Sequence, residues 1–266
     1  MEFCSIASGS SGNSVFIGSD HSAVLVDAGI SARRIVNALS GIGLSLQDLK
    51  GILVTHEHAD HISALGVLSR KAKIPIYATA GTIRKIKSYK SLGAIDEDLF
   101  HEIKSDEPFS LGDLQIFPFR ISHDAAEPVA YRVEGDGKAA AVATDMGCFD
   151  HDIVSHLQNL DTVLLESNHD KNMLEVGPYP YPLKMRILGP RGHLSNESAA
   201  ALLCEILNDH MKGIYLGHLS KENNYAALAY ATVTCAVTEN GACPYKGDDL
   251  PIQVASRDHP MELLRF

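Results

Sequence analysis

Residues 55–61 read Thr55-His56-Glu57-His58-Ala59-Asp60-His61. Neutral imidazoles and a carboxylate spaced this closely form a donor set for a divalent ion such as zinc, manganese or iron. The apolar run Gly51-Ile52-Leu53-Val54 precedes the cluster, and Ile62, Leu65 and Leu68 follow it at helical spacing. His56 and His58, two residues apart at a strand end, face the same way, while Asp60 and His61 open the next element. Four further residues of ligand type end other apolar runs. Asp27 closes Val24-Leu25-Val26, and His123 follows Phe119-Arg120-Ile121-Ser122. Asp145 follows residues 140–144, and His218 follows residues 214–217. Such residues collected at strand termini predict a site at one edge of a sheet. They also exceed what one structural ion needs, which points to two ions with open positions.

The elements behind these residues read as short strands with helices between them. Strands are expected over residues 4–6, 14–17, 23–26, 51–55, 74–78, 114–121, 129–133, 139–143, 162–165, 214–216 and 251–255. Ser31 suits an N-cap for a helix carrying Ile35, Val36 and Leu39 and ended by Gly41. Other helices are expected around Ile62–Leu68 and over residues 82–90, 150–157, 195–209 and 222–237. Gly135-Asp136-Gly137 between two β runs predicts a hairpin. Residues 171–192, punctuated by Pro178, Pro180, Pro182 and Pro190, read as a long irregular segment. With no repeat and no clean linker, residues 1–266 are expected to form a single mixed α and β domain.

Composition bounds the function classes. Apolar residues make up 45% and charged residues 21% of the 266 positions, which excludes a disordered chain. No apolar stretch is long enough to span a bilayer, and the start Met1-Glu2-Phe3-Cys4 lacks a basic or apolar leader, so no membrane partner is expected. Five scattered cysteines without a C-x-x-C pair predict reduced thiols and a cytoplasmic protein. The net charge of −10 opposes nucleic-acid binding only on average. Residues 61–95 hold no acid but carry Arg70, Lys71, Lys73, Arg84, Lys85, Lys87 and Lys90. Residues 171–191 carry Lys171, Lys184, Arg186 and Arg191 against Glu175. Local basic stripes of this kind fit a phosphate backbone.

With these motifs in place, the sequence resembles the metallo-β-lactamase fold superfamily over essentially its whole length. The resemblance implies an α+β fold, a four-layer αββα sandwich with a dinuclear site between its sheets. It implies that His56, His58 and His123 hold one divalent metal and Asp60, His61 and His218 the other, as Zn2+ or Mn2+. Asp145 would bridge the two ions and Asp27 would stand behind the ligands. His58 occupies the place of a glutamate in oxygen-reducing diiron relatives, and no flavodoxin-like region follows, which disfavours a redox role. The bridging carboxylate Asp145 disfavours a true β-lactamase. Hydrolysis by two metals remains, and it suits phosphodiesters, thioesters and lactones alike.

Three features favour phosphodiesters. The loop Ser8-Gly9-Ser10-Ser11-Gly12-Asn13-Ser14 offers backbone N–H groups for a phosphate cradle, with Ser10, Ser11, Gly12 and Asn13 as contacts. Gly192-His193-Leu194-Ser195-Asn196 sets His193 and Ser195 at a helix start, where His193 can meet phosphate or protonate a leaving oxygen. Tyr179 and Tyr181 lie within the second basic stretch, an arrangement that suits base stacking. Lys85, Lys87 and Arg186 are the basic contacts expected with substrate. Together with Leu165-Glu166-Ser167-Asn168-His169-Asp170 and Leu216-Gly217-His218-Leu219-Ser220, these motifs resemble the YycJ/WalJ group. That resemblance implies a 5′-to-3′ DNA exonuclease, with DNA favoured over RNA, and places Glu166 and His169 beside the site. In the expected reaction Asp60 orients the attacking oxygen and attack at phosphorus is in line. An RNA-processing nuclease, with tRNA 3′-processing enzymes as relatives, or a small-molecule cyclic phosphodiesterase or thioesterase remain the alternatives.

Overall fold

The computed structural model describes residues 1–239, 243 and 250–266. The first sheet takes β1 (Glu2–Ala7), β2 (Ser14–Gly18), β3 (Ala23–Val26), β4 (Leu49–Leu53), β5 (Ile76–Thr79) and β6 (Phe100–Ile103). The second takes β7 (Phe109–Leu111), β8 (Leu114–Arg120), β9 (Val129–Gly135), β10 (Lys138–Ala143), β11 (Thr162–Glu166), β12 (Gly213–Gly217) and β13 (Ile252–Val254). A last strand, β14 (Leu264–Arg265), returns to the first sheet beside β1, so among the described residues each sheet has seven strands.

Side-chain alternation along the strands sorts the apolar residues into layers. Val24 and Val26 point between the sheets with Phe3, Val15 and Ile17, and meet Ile116, Tyr131, Val142 and Leu164 of the second sheet. Leu25, between the two valines, packs the other way. Ala141 and Ala143 likewise face outward while Ala140 and Val142 face in. Both outer faces are covered by helices. On the first sheet these include α1 (Ala32–Gly41), α2 (Ala59–Ile62), α3 (Leu65–Ala72) and α4 (Ala80–Ser88), which bury Ile35, Leu39, Leu65, Leu68, Ile83 and Ile86. Next in the chain come α5 (His151–His156), α6 (Lys171–Val176), α7 (Tyr181–Leu188), α8 (Asn196–Ile206) and α9 (Ala226–Glu239). Of these, α5, α8 and α9 cover the second sheet with Ile153, Leu202, Leu203 and Val233. The layers run α, β, β, α, as expected.

Strand direction decides where the chemistry sits. β3 to β6 are mutually parallel, as are β10 to β13. β8 runs with β10 because both are antiparallel to β9. The chain therefore leaves β3, β4, β8, β10, β11 and β12 at the carboxyl edges of the two sheets, the usual place for a site on parallel strands.

Three local expectations need correction. The helix expected around residues 62–68 is two helices, because Ala64 N donates to Ala28 O and Ser63 Oγ to Gly29 O, which turns the chain between them. Residues 171–192 are not irregular: α6 and α7 form there, with Pro180 at the α7 N-cap and Pro182 in its first turn, where a missing N–H costs nothing. The short strands β6, β7 and β14 escaped the sequence reading.

Candidate metal centre

Asp27, at the end of β3, adopts φ 61°. Its Oδ1 accepts from Thr55 N (2.8 Å), and its Oδ2 accepts from Thr55 Oγ1 (2.8 Å) and His61 Nδ1 (2.7 Å). Asp145 after β10 and His218 after β12 share this left-handed backbone, with φ 61° and 55°. Aspartate and histidine tolerate that region better than most residues, yet it remains costly. Three such positions at three strand ends show that side-chain direction here outweighs backbone ease. Gly29 lets the start of α2 lie against the end of β3, since a Cβ there would stand 1.5 Å from Asp60 O.

The histidines converge, and most have one nitrogen already committed. His61 gives its Nδ1–H to Asp27, and His56 Nδ1 meets Thr55 Oγ1 at 3.0 Å. His123 Nδ1 meets Gly192 O at 3.1 Å, and His218 Nδ1 meets Glu166 Oε1 at 3.1 Å. Each of these contacts turns Nε2 toward the other residues of the cluster, the orientation a metal ligand requires. His58 Nδ1 stands 3.2 Å from His123 Nε2. The donor atoms of His56, His58 and His123 form one group within 4.8 Å of one another, and those of Asp60, His61 and His218 form a second. Asp145 lies between them, with Oδ2 3.1 Å from His61 Nε2 and Oδ1 3.5 Å from His218 Nε2 and 3.7 Å from His123 Nε2.

These residues suit divalent cations on physical grounds. His56 Nε2 is buried with no hydrogen-bond partner, and the equally buried Asp145 Oδ2 faces the His61 ring at 3.1 Å. Such orphaned polar atoms are costly unless a cation completes them. Burial and the neighbouring histidines push His56 well below its ordinary value. Burial also opposes charge on His61 and His218. For His61, Asp27, Asp145 and Asp60 prevail and raise it well above normal. For His218, Asp145, Asp60 and Glu166 raise it to about 10. Asp60 and Asp145 are held low against burial by these imidazoles. In the metal-free protein, protons thus supply the positive charge that cations would bring.

Around this group the structure sorts the remaining expected residues. Glu166 is fully buried; its Oε1 also accepts from His193 Nδ1 (2.8 Å), and its Oε2 accepts from Met146 N (2.7 Å) and Leu194 N (3.2 Å). His193 is thus brought to the cluster by the same carboxylate that orients His218. His169 is buried beside Ser195, its ring nitrogens are unpartnered, and burial lowers it to about 4. Arg186 pairs with Asp124 (2.5 and 3.0 Å), next to His123. That hydrogen bond, and at longer range Asp145 and Asp60, raise the Arg186 pKa.

Several expected substrate contacts are engaged elsewhere. Asn13 is buried, takes Gly9 N on Oδ1 and places Nδ2 3.1 Å from His61 Nε2. Gly12 N donates to Gly9 O within the loop, and Asn13 N donates to Asp60 O at the start of α2. Ser10 and Ser11 remain exposed, whereas Ser8 Oγ accepts from His218 N. Ser195 caps α8 through Ser198 N, and Asn196 N donates to His169 O, which uses two of the donors of that helix start. Lys87 pairs with Glu97 and lies over the Phe100 ring, at the amino end of β6, opposite to the edge that carries His56. Lys85, two residues before it in the last turn of α4, is likewise not among the residues of the cluster.

The sequence reading missed Thr55, which joins Asp27 to His56, and Asn168, whose Nδ2 donates to His218 O at 2.8 Å. Both stand next to expected residues in the chain, and adjacency was their only signal.

Residues 22–214 match the family described as Beta-lactamase superfamily domain. The chain is 41% identical to exodeoxyribonuclease WalJ of Streptococcus pneumoniae over 233 residues, covering 88% of this chain and 87% of that protein. It belongs to the WalJ/YycJ family of that superfamily. A second family member, exodeoxyribonuclease YycJ of Bacillus anthracis, is 38% identical over 241 residues, with 91% and 90% of the two chains covered. The fold of Zn(2+)-bound PqqB from Methylobacterium extorquens superposes with a TM-score of 0.72 over 98% of this chain and 100% of that one, at 16% identity. The WalJ/YycJ relatives thus match over most of their own length and of this chain. Among the described residues no helix is long and apolar enough to cross a membrane.

Proposed function

We propose that the chain is a metal-dependent phosphodiesterase, a 5′-to-3′ DNA exonuclease that uses two divalent ions, Zn2+ or Mn2+. The observation that carries this reading is the pair of three-residue donor groups with Asp145 between them. The relatives named exodeoxyribonuclease, aligned over most of both chains, support DNA as the polymer. His56, His58 and His123 would hold one ion and Asp60, His61 and His218 the other, with Asp145 shared. Ions so held would supply a nucleophilic water at neutral pH and neutralise the negative charge on the phosphate oxygens.

The chain's own groups do the rest. Asp60, a quarter exposed at the mouth of the cluster, orients the attacking water through its carboxylate. His193 gives its Nδ1–H to Glu166, which leaves Nε2 as the atom that passes a proton to the leaving oxygen. Asp27 and Glu166 fix the ring planes of His61 and His218, so no reorientation is needed during the reaction. Arg186, exposed beside Asp124, meets the substrate backbone. The cysteines form no disulfide among the described residues, in keeping with a cytoplasmic location.

The test is metal content and phosphodiester cleavage in His58→Ala and Asp145→Ala protein. Loss of bound metal together with cleavage is expected. Unchanged cleavage in either variant would contradict the assignment, and turnover confined to small esters would favour the small-molecule alternative.

A further inference from the structure

Among the described residues, eight large apolar side chains are well exposed, and four of them lie between residues 176 and 188: Val176 (86%), Tyr181 (72%), Met185 (49%) and Leu188 (38%). Tyr181, Met185 and Leu188 follow the i, i+4, i+7 spacing of one helix face. They line the side of α7 turned away from Ile187, which is buried. α7 is seated against the cluster at two points: Arg186 pairs with Asp124 beside His123, and Ile187 O accepts from His193 N. An aligned apolar face kept in water next to a reactive site marks an interaction surface.

Charge selects its occupant. Lys184 Nζ donates to Glu175 O, and Arg191 Nε donates to His123 O. Both cations are thus held by carbonyl oxygens, which fix the side chains without neutralising them. A polyanion with flat apolar faces satisfies both features at once, since its phosphates meet the cations while its bases cover the apolar face.

We propose that α7 is a stacking platform for unpaired bases of the DNA strand, with Tyr181 and Met185 as the principal contacts, and that Lys184 and Arg191 hold the phosphates beside it. Such a platform grips the strand by its bases independently of their identity and delivers the adjoining phosphodiester to the cluster. The proposal rests on the nuclease reading, because it is that reading which brings a strand to this edge of the molecule.

The test measures binding apart from cleavage. In an Asp60→Ala background, fluorescence anisotropy gives Kd for a labelled single-stranded oligonucleotide and for the same oligonucleotide made abasic at its 5′ end. Tyr181→Ala is expected to raise Kd for the normal strand about tenfold, Met185→Ala less, and Tyr181→Phe hardly at all. On the abasic strand the difference between protein that keeps Tyr181 and the Tyr181→Ala variant should vanish. Equal Kd with and without the Tyr181 ring, equal losses on both strands, or no DNA binding would each overturn the platform. So would a shift from dimer to monomer on Tyr181→Ala in sedimentation, which would make this face a contact between two copies of the chain. Cleavage by the protein with Asp60 intact is scored separately. Base-dependent binding without cleavage would sink the nuclease reading and leave the platform standing.

Discussion

The floor of the candidate site and its rim are built on opposite principles. On the floor, His56, His61 and His218 are almost wholly buried, and each is aimed by a second contact, to Thr55, Asp27 and Glu166 respectively. Along the rim, α7 is held by an exposed Arg186–Asp124 pair, by Lys184 on Glu175 O and by the His193 N–Ile187 O hydrogen bond, and its Tyr181, Met185 and Leu188 face water. The floor withstands no adjustment, which suits cations that demand fixed donors. The rim is free to adapt, which suits a polymer of varying sequence. Reactive geometry and substrate grip are therefore separable, and substitutions in the two regions should differ in kind.

The largest effects are expected on the floor. His58→Ala or Asp145→Ala should abolish both metal loading and cleavage, read by elemental analysis and by an end-labelled DNA assay. Asp27→Ala comes next: Thr55 N, Thr55 Oγ1 and His61 Nδ1 lose a shared buried acceptor. Metal affinity should fall about 10- to 100-fold, with a further cost of about 1–3 kcal/mol for each unpaired group, read in denaturant unfolding. An intact metal affinity in that variant would show that the ring of His61 is aimed by something else.

Proton release distinguishes the histidines from one another. His61 and His218 have raised values, so both carry a proton at pH 7 in the metal-free protein and must lose it on loading. His56, pushed down, has none to lose. Metal titration by calorimetry in buffers of different ionisation enthalpy should therefore report proton release at pH 7. The stability contributed by protonated His218 is fully present below about 6.5. It is lost as pH rises through about 10, so the chelated protein should lose Tm over that interval and the loaded protein should not.

Smaller effects belong to the rim and beyond. Arg186→Ala should raise KM a few-fold with a reduced salt dependence while leaving kcat and stability nearly unchanged, because an exposed pair contributes only about 0.2–1 kcal/mol. Lys87→Ala should leave cleavage untouched, since its ammonium serves Glu97 and Phe100 at the far end of β6. A clear loss of DNA binding in Lys87→Ala would restore α4 as a substrate contact.

The same contrast explains what was legible in the chain. The floor could be read because each of its ligand-type residues ends an apolar run, and parallel strands bring their carboxyl ends together without help from the loops. Thr55 and Asn13 were harder to read, because a hydroxyl or an amide beside a histidine has many uses and only folding showed which atom each one faces. The Ser8–Asn13 loop is ambiguous in sequence because glycine and serine serve a phosphate cradle and a tight turn equally well. Around residues 171–192 the prolines suggested a break, yet Pro180 and Pro182 occupy positions where a helix accepts them. Basic residues on α4 are ambiguous for a different reason: charge along a sequence does not say which end of a sheet a helix reaches.

The central claim is tested most directly by incubating metal-loaded protein with duplex DNA labelled at either the 5′ or the 3′ end, with Asp60→Ala protein as control. Progressive release of the 5′ label by the unsubstituted protein alone is the predicted result. Intact DNA in a preparation shown to hold two metals per chain would contradict it.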